Sequence, residues 1–439
     1  MAIATAQSLY ESAPGVVNGP KFDHMKSFDV DEQARAAVDA VARRSYGKLV
    51  AFLSARSRDV AAAEDALSEA FASALSDWRR SGCPKNPEAW LLTVARRKII
   101  DAARRHQRSG LIDEDLERMA AVLAGPADVE IPDRRLALMF VCAHPVIDFA
   151  IRAPLMLQVV LGLDAKTIAS AFLTSPSAMG KRLVRAKARI RQAQIPFIIP
   201  ERDEMPGRLG AVLDSIYAAF AEGWSDPSGT DILRRDLTDE AIFLARLVAE
   251  LLPDEPEALG LLALMLHAES RRHARRNAVG EYIPLADQDQ ARWDWRMIKE
   301  AEALIRELSG RGSVGRYQLE AALQSAHVFR CRTGQNNWAE VVQLYDALLA
   351  FAGSPVVAVN RAVAIGELEG ADKALAALEG VANDARLAEY QPYWAARAEL
   401  LAKTGASDQA RQAYDIAIGL ERDPAVRKFL QQRQLLLGS

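Results

Sequence analysis

The chain has 439 residues, of which 50% are hydrophobic and 26% charged, and its formal net charge is -3. This composition is typical of a globular protein of roughly three domains and excludes a disordered chain. No run of about 18 apolar residues is present, so we predict no membrane-spanning helix. Three widely spaced cysteines, Cys83, Cys142 and Cys331, show no paired metal spacing and favour a reducing, cytoplasmic location.

Residues 1–25 are predicted to be a leader outside the folded domains. They lack the basic start and apolar core of a secretory signal, and they end at His24-Met25. A recombinant tag that abuts a native start at Met25 would have this form, and we hold that origin as a hypothesis.

An all-α fold is predicted for the chain from Asp31 onward. Alanine and leucine are abundant, alternation of β-branched residues is missing, and glycine and proline fall mainly between periodic segments. Within this fold, residues 85–108 hold seven cations and two acids, and residues 176–192 hold six cations and no acid. The remainder of the chain is therefore acidic, which favours specific, screened binding over general affinity for nucleic acid.

The segment SRDVAAAEDALSEAFASALSDW, residues 57–78, predicts an amphipathic helix. Its apolar stripe, at helical spacing, consists of Val60, Ala63, Leu67, Phe71, Ala74 and Trp78. Another face carries Glu64, Asp65 and Glu69. This acidic face is either solvated or a docking surface for a basic partner helix.

A loop that leads into a basic helix follows in RRSGCPKNPEAWLLTVARRKIIDAARRHQR. Gly82, Pro84 and Pro87 predict the loop, and cations on the helix can contact a nucleic-acid backbone. Such a loop can also hold a base extracted from a melted duplex while the cations hold phosphates. The candidate residues are Asn86, Trp90, Arg96, Arg97, Arg104 and Arg105.

Residues 163–191 predict a helix, a tight turn and a second helix. Ser175 and Pro176 supply an N-cap and a first-turn proline, and the stripe of the second helix is Met179, Leu183, Ala186 and Ile190. A helix-turn-helix places its second helix in the major groove. The candidate contacts are Ser177, Lys181, Arg182, Arg185 and Lys187. A basic surface helix of an ordinary bundle would show the same periodicity.

Together these segments resemble a bacterial sigma factor of the extracytoplasmic-function group in the sigma-70 family. The resemblance covers 31–194. The segment DALSEAFASAL resembles the helix that docks on core RNA polymerase. The segment NPEAWLLTVARRKIIDAARR resembles the part that recognises and melts the minus-ten element. The segment LGLDAKTIASAFLTSPSAMGKRLVRAKARI resembles the part of region 4 that recognises the minus-thirty-five element. It implies a region 2 bundle over 26–110, a linker over 111–133 and a region 4 helix-turn-helix domain over 134–195.

The long C-terminal half is similar to one sigma subgroup with a fused tetratricopeptide-like extension. After a linker at 196–208, helical repeats are expected over 209–439. Their small residues are Ala358, Ala362, Ala364, Ala374, Ala377, Ala395, Ala410 and Ala417. Such arrays form concave surfaces for a protein or peptide ligand. The subgroup resemblance includes DQDQARWD, and from it we take Asp287, Asp289 and Trp293 as candidate regulatory contacts between domains.

No enzyme site, metal site or cofactor site is predicted. DQDQARWD fails as a calcium loop because its sixth position is not glycine and its twelfth is Ile298. His267 and His273 are not spaced as a metal pair on one helical face, and phosphate-loop and nucleophile-elbow motifs are absent from the sequence.

The resulting hypothesis is a transcription initiation factor that binds core RNA polymerase through Glu64, Asp65 and Glu69 and recognises promoter DNA. Its C-terminal half would regulate it, either by masking the DNA-binding domains or by stabilising the active complex. One alternative is a non-sigma helix-turn-helix regulator whose repeats sense a peptide. Another is an enzyme in the all-helical C-terminal half.

Overall fold

The computed structural model describes residues 23–108, 133–172, 174–201, 203–224, 232–310 and 314–438. All regular elements within these ranges are helices, apart from one isolated antiparallel bridge between Arg276 and Tyr282. The predicted all-α class is confirmed. Most of the predicted leader 1–25 and of the predicted linker 111–133 lies outside the described residues.

The chain divides into two compact units, residues 1–222 and 223–439. The first unit thus holds both predicted DNA-binding segments. Its helices are α1 (Asp23–Ser57), α2 (Val60–Ser81), α3 (Pro87–Arg108), α4 (Arg135–Cys142), α5 (Phe149–Leu161), α6 (Ala165–Ala171), α7 (Pro176–Gln192) and α8 (Met205–Trp224), the last of which ends just past the boundary.

Helix α2 forms where the sequence predicts it. Asp59 caps its start by accepting a hydrogen bond from the Ala62 amide, and Gly82 ends it with a positive φ of 79°. Such a φ is strained for residues with a Cβ. The whole predicted apolar stripe is buried, so the periodicity identified the inward face correctly.

Helix α7 also has the predicted bounds and the predicted inward face. The Ser175 hydroxyl accepts from the Ala178 amide at 3.2 Å, and Pro176 occupies the first turn, where no amide proton is needed. Met179, Leu183 and Ile190 are buried. The cations are thereby distributed over the remaining faces of the helix.

Helix α1 is the central element of the first unit, because α2, α3, α4 and α5 all pack against it. Its contact with α5 is a close backbone approach. A Cβ built on Gly47 would lie 1.9 Å from the carbonyl oxygen of Val160, and one on Gly162 would lie 2.9 Å from the Tyr46 ring. The segments that the sequence assigns to two domains therefore share one core.

The second unit consists of helices that follow one another along the chain. They are α9 (Ile232–Leu251), α10 (Pro256–Glu269), α11 (Trp295–Leu308), α12 (Arg316–Thr333), α13 (Trp338–Ala352), α14 (Pro355–Glu369), α15 (Ala371–Glu379), α16 (Gln391–Lys403), α17 (Ser407–Leu420) and α18 (Pro424–Leu435). Residues 270–294 carry three short 3-10 turns between α10 and α11.

From α12 onward each helix packs against the next one in the chain. One core joins α14 to α16 through Ala362, Ala374 and Leu400, and another joins α16 to α18 around Tyr414 and Leu430. Small side chains let these helices approach closely, as the sequence predicts. The assignment as tetratricopeptide-like repeats stays a prediction.

Candidate nucleic-acid interface

The outward face of α7 presents cations that have no acidic partner within the described part of the chain. Ser177, Lys181 and Arg185 are exposed, and Arg182 is half-buried. No ion pair with Lys181, Arg182 or Arg185 occurs among the described residues. The Arg185 Nε donates to the Lys181 carbonyl oxygen at 3.3 Å. Guanidinium groups without an acidic partner suit bidentate contacts to phosphate or to a guanine edge.

Beside this face lies a cleft of about 330 Å³. Arg182, Arg185 and Arg189 line one side, and residues 146–148 and Ile151 line the other. Asp148, the one acid in the lining, accepts a hydrogen bond from the Ala150 amide at the start of α5. The charged groups of the lining are therefore three cations and one acid, which favours an anionic ligand.

Lys187, on the inward side of α7, is bonded to α2. Its Nζ lies 2.8 Å from Oε2 of Glu64, and the Tyr46 hydroxyl lies 3.5 Å from Oε1 of the same carboxylate. Burial raises the pKa of Glu64, and the ammonium of Lys187 opposes that rise. Burial and the Glu64 charge also raise the pKa of Tyr46. One turn further on, Arg191 pairs with Asp59 at 3.2 Å.

The three predicted polymerase-binding acids have different surroundings. The sequence assigns Glu64 to a polar outer face, but the residue is only 8% exposed. It is buried because Lys187 of α7 packs over it. Asp65 is exposed. Glu69 is exposed and pairs with Lys98 of α3 at 3.0 Å.

On the predicted minus-ten segment, two residues support the local structure. The Asn86 side chain accepts a hydrogen bond from the Ala89 amide and so caps α3. The Trp90 ring packs edge-on against Trp78, with centroids 5.6 Å apart. Asn86 thus fixes the start of α3, and Trp90 fixes the first turn of α3 against α2.

Among the predicted minus-ten arginines, Arg97 is exposed. The Arg96 guanidinium lies 5.4 Å from the centroid of the Phe52 ring, and partial burial beside Arg56 lowers its pKa. Arg104 and Arg105 belong to α3, but their side chains lie outside the described residues.

The candidate regulatory residues of the second unit differ from one another in their exposure to solvent. Asp287 and Asp289 are exposed, and Asp289 accepts a hydrogen bond from the Ala291 amide. Trp293 is 4% exposed and belongs to a core with Ala274 and Ile298. Its indole therefore serves packing inside the second unit.

Sequence reasoning did not single out Gly47 or Tyr46, on which the core of the first unit depends. The available signal was a glycine inside a long helical segment. Such a residue costs about 1 kcal/mol relative to alanine and indicates close packing. No pattern in the sequence pairs Glu64 with Lys187.

Among the described residues, no helix is long and apolar enough to cross a membrane. The described residues also include no group of three or more His, Cys, Asp or Glu side chains placed to hold a metal ion.

Comparison with known proteins identifies two parts of the chain. The model of Sigma-70 region 2 matches residues 41–109, and a family of unknown function (DUF6596) matches residues 208–309. The first match covers the acidic face of α2 and the basic segment of α3.

Two relatives extend this result. The uncharacterized protein R00370 of Rhizobium meliloti (strain 1021) is 39% identical over 382 residues, which cover 86% of this chain and 90% of that protein. The probable RNA polymerase sigma factor RfaY of Xanthomonas campestris pv. campestris is 30% identical over 166 residues, which cover 34% of this chain and 40% of that protein. No solved structure matches the chain. The chain belongs to the family of the rhizobial protein, and its residues 41–109 are similar to Sigma-70 region 2.

Proposed function

We propose that the protein is a sigma factor of the extracytoplasmic-function group, which binds core RNA polymerase and directs promoter-specific initiation of transcription. The observation that carries the proposal is the Sigma-70 region 2 match over 41–109. The unpaired cations of α7 support it, since a second basic helix is what a bipartite promoter reader requires.

Each element has a distinct role in this proposal. The acidic face of α2 binds core polymerase through its exposed acids Asp65 and Glu69, whereas Glu64 is buried against Lys187. The loop before α3 and the arginines of α3 hold the melted minus-ten strand, because aromatic and cationic side chains bind unstacked bases and phosphates. Ser177, Lys181, Arg182 and Arg185 of α7 contact the minus-thirty-five duplex from the major groove. Lys187, which faces α2, fixes the helix through its ion pair with Glu64.

The second unit is proposed to regulate initiation. Its stacked helices suit a protein or peptide ligand, and it requires no cofactor in this scheme. Asp287 and Asp289 are exposed, so they are the candidates for contacts outside their own unit. Truncation after about residue 195 should change promoter-specific transcription. Unchanged output would remove the regulatory role.

Run-off transcription with purified core RNA polymerase tests the proposal directly. We expect a promoter-dependent product with the full chain and none with core enzyme alone. An Arg97→Ala/Arg182→Ala variant should lose that product, and the matched variant Gln192→Ala, at the end of the same basic helix α7, should keep it. Sequence-specific duplex binding without any promoter-dependent product would instead favour a non-sigma helix-turn-helix regulator.

A further inference from the structure

We infer that the second unit holds an oxyanion-binding site between the C-terminal end of α10 and helix α12, formed by Arg271, His327 and Arg330. Its ligand carries a carboxylate or phosphate group. The site itself is argued from packing inside the second unit, whereas its use in regulation rests on the proposed function.

The first argument is a buried positive charge without a counter-ion. Arg271 is 9% exposed, and burial lowers the pKa of its guanidinium to about 10, so the group is still charged at neutral pH. Its Nε donates to the carbonyl oxygen of His267 at 3.2 Å, and its Nη2 donates to the Gln324 side chain. Both acceptors are neutral. Because a buried ion without an opposite charge is costly, a bound anion would stabilise this residue.

Other arginines of the same segment are compensated by acids. Arg272 pairs with Glu269 at 2.6 Å, and Arg276 pairs with Asp423, the cap of α18, at 2.5 Å. No ion pair with Arg271 occurs among the described residues. The fold thus supplies an acid to these half-buried arginines and none to the more deeply buried Arg271.

Arg330 is a second cation without an acidic partner in the part of the chain that the structure describes. Its Nη1 donates to Oδ1 of Asn337 at 3.0 Å, and its Nη2 donates to Nδ1 of His327 at 2.8 Å. The guanidinium carbon lies 3.7 Å from the centroid of the Trp338 ring. These neutral contacts fix the guanidinium plane, and a fixed plane loses little freedom when it binds carboxylate or phosphate.

The two arginines converge on His327. Burial, and then the charges of Arg330 and Arg271, lower the pKa of this imidazole to about 4, so the ring is neutral. Gln324, which Arg271 contacts, lies one turn before His327 on α12. Arginine can only donate, so Nδ1 of His327 accepts from Arg330 and the ring proton is on Nε2.

Three N–H groups of this cluster thus donate to no described residue. They are Nη1 of Arg271, Nε of Arg330 and Nε2 of His327. The cluster therefore offers three donors and two positive charges, which suit the oxygens of one anion.

Two further polar groups beside the cluster are buried and unsatisfied. Neither ring nitrogen of His267 has a hydrogen-bond partner, and Oε1 of Glu302, 3.5 Å from Nε2, is already bonded to Ser325. The Trp293 Nε1 also lacks a partner, in the core that it shares with Val328 of α12. Buried polar groups are almost always bonded. Unused donors in this core are expected of a site that takes an acceptor-rich ligand.

Titration of the full chain with inorganic phosphate and with acetate tests the inference, at constant ionic strength maintained with chloride. The readout is the imidazole signals of protein that contains isotopically labelled histidine, and His327→Gln assigns the signal of interest. We expect the His327 signal to move saturably with at least one of the two anions, and the signal of the exposed His273 not to do so. No saturable change with either anion overturns the inference.

Matched variants connect the binding to the proposed residues. Arg330→Gln should weaken binding by about tenfold, the factor for one lost hydrogen bond from a charged group. Arg332→Gln makes the same change at an exposed position of α12 and should leave binding unchanged. Arg271→Gln should remove binding, and the Arg330 and Arg332 pair decides if Arg271→Gln fails to fold. Equal affinities in Arg330→Gln and Arg332→Gln overturn the inference, because a merely structural Arg330 would affect stability alone.

A peptide distinguishes the two sources of the anion. The probe is an acetylated peptide of four glutamates, and its control is the same peptide with four glutamines. Binding that is about tenfold or more tighter than that of acetate, and that Arg330→Gln weakens, supports the site with a protein segment as its ligand. Binding no tighter than that of acetate supports the site with a free small anion as its ligand.

Failure of the proposed function can be distinguished from failure of this inference. The titrations contain neither polymerase nor DNA, so their outcome stands even if the protein gives no promoter-dependent run-off product. Run-off product from a protein that binds neither phosphate nor acetate overturns the oxyanion site alone.

Discussion

Glu64 of the first unit and two histidines of the second show opposite ways to bury a titratable side chain. In the first, Glu64 is compensated by Lys187, which lies 123 residues further along the chain. In the second, burial lowers the pKa of His267 and of His327 to about 4, so both are held neutral. The charged pair requires that two distant segments meet, whereas the neutral imidazoles require only their own core. Loss of one member of the charged pair should therefore destabilise the first unit, whereas acid should destabilise the second.

The largest expected effect is the loss of stability of the second unit in acid. Both histidines have folded pKa values below the unfolded value of about 6.5. The unfolded chain therefore takes up the protons first, and stability falls as the pH drops from about 6.5 to about 4. Each histidine should contribute on the order of 3 kcal/mol to this loss. Hydrogen exchange of peptides from α10 and α12 at several pH values measures it.

The matched control for this effect is His273, which is exposed. His267→Gln should flatten the pH dependence of exchange in α10, and His273→Gln should leave it as it is. Equal slopes in both variants would show that buried imidazoles do not cause the acid sensitivity.

The next largest effect is expected for Lys187→Met in the first unit. It leaves Glu64 buried without its cation, which should cost about 3 kcal/mol, at the lower end for a broken buried pair. Because the pKa of Glu64 is raised, the loss should shrink as the pH falls and the carboxyl takes up a proton. Chemical denaturation followed by exchange in α2 and α7 measures it. Lys181→Met, on the exposed side of the same helix, should cost nothing measurable.

Binding to duplex DNA should depend on the outward face of α7. Arg182→Ala or Arg185→Ala should weaken promoter binding by about 1 to 3 kcal/mol if the side chain contacts a guanine. If it contacts phosphate, the loss should be uniform across sequences and the salt dependence shallower. Titrations with matched and mismatched duplexes at two salt concentrations distinguish these cases. Unchanged affinity in both variants would assign DNA binding elsewhere.

The smallest effect is expected for Arg191→Gln. Its side chain is 63% exposed in the pair with Asp59, and exposed ion pairs contribute about 0.5 kcal/mol. Chemical denaturation of the first unit should show a decrease of that size in the free energy of unfolding, and salt should reduce the decrease further. A loss of stability as large as that of Lys187→Met would mean that the exposed Arg191–Asp59 pair, and not the buried Lys187–Glu64 pair, stabilises the contact between α2 and α7.

Much of the fold could be predicted because local signals agreed with each other. The bounds of α7 followed from the Ser175 cap and Pro176, and the inward face of α2 followed from apolar residues at helical spacing. Glu64 could not be placed in this way. Periodicity assigned it to a polar face, and the structure buries it because a segment more than a hundred residues away covers that face.

The sequence by itself determined the helices, their inward faces and the two basic segments, since each depends on residues within a few turns of one another. The tertiary structure alone decided that Lys187 faces Glu64, that Gly47 meets Val160 and that both basic segments share one unit. These are contacts between distant parts of the chain. Helical periodicity specifies a buried face but not the partner that covers it.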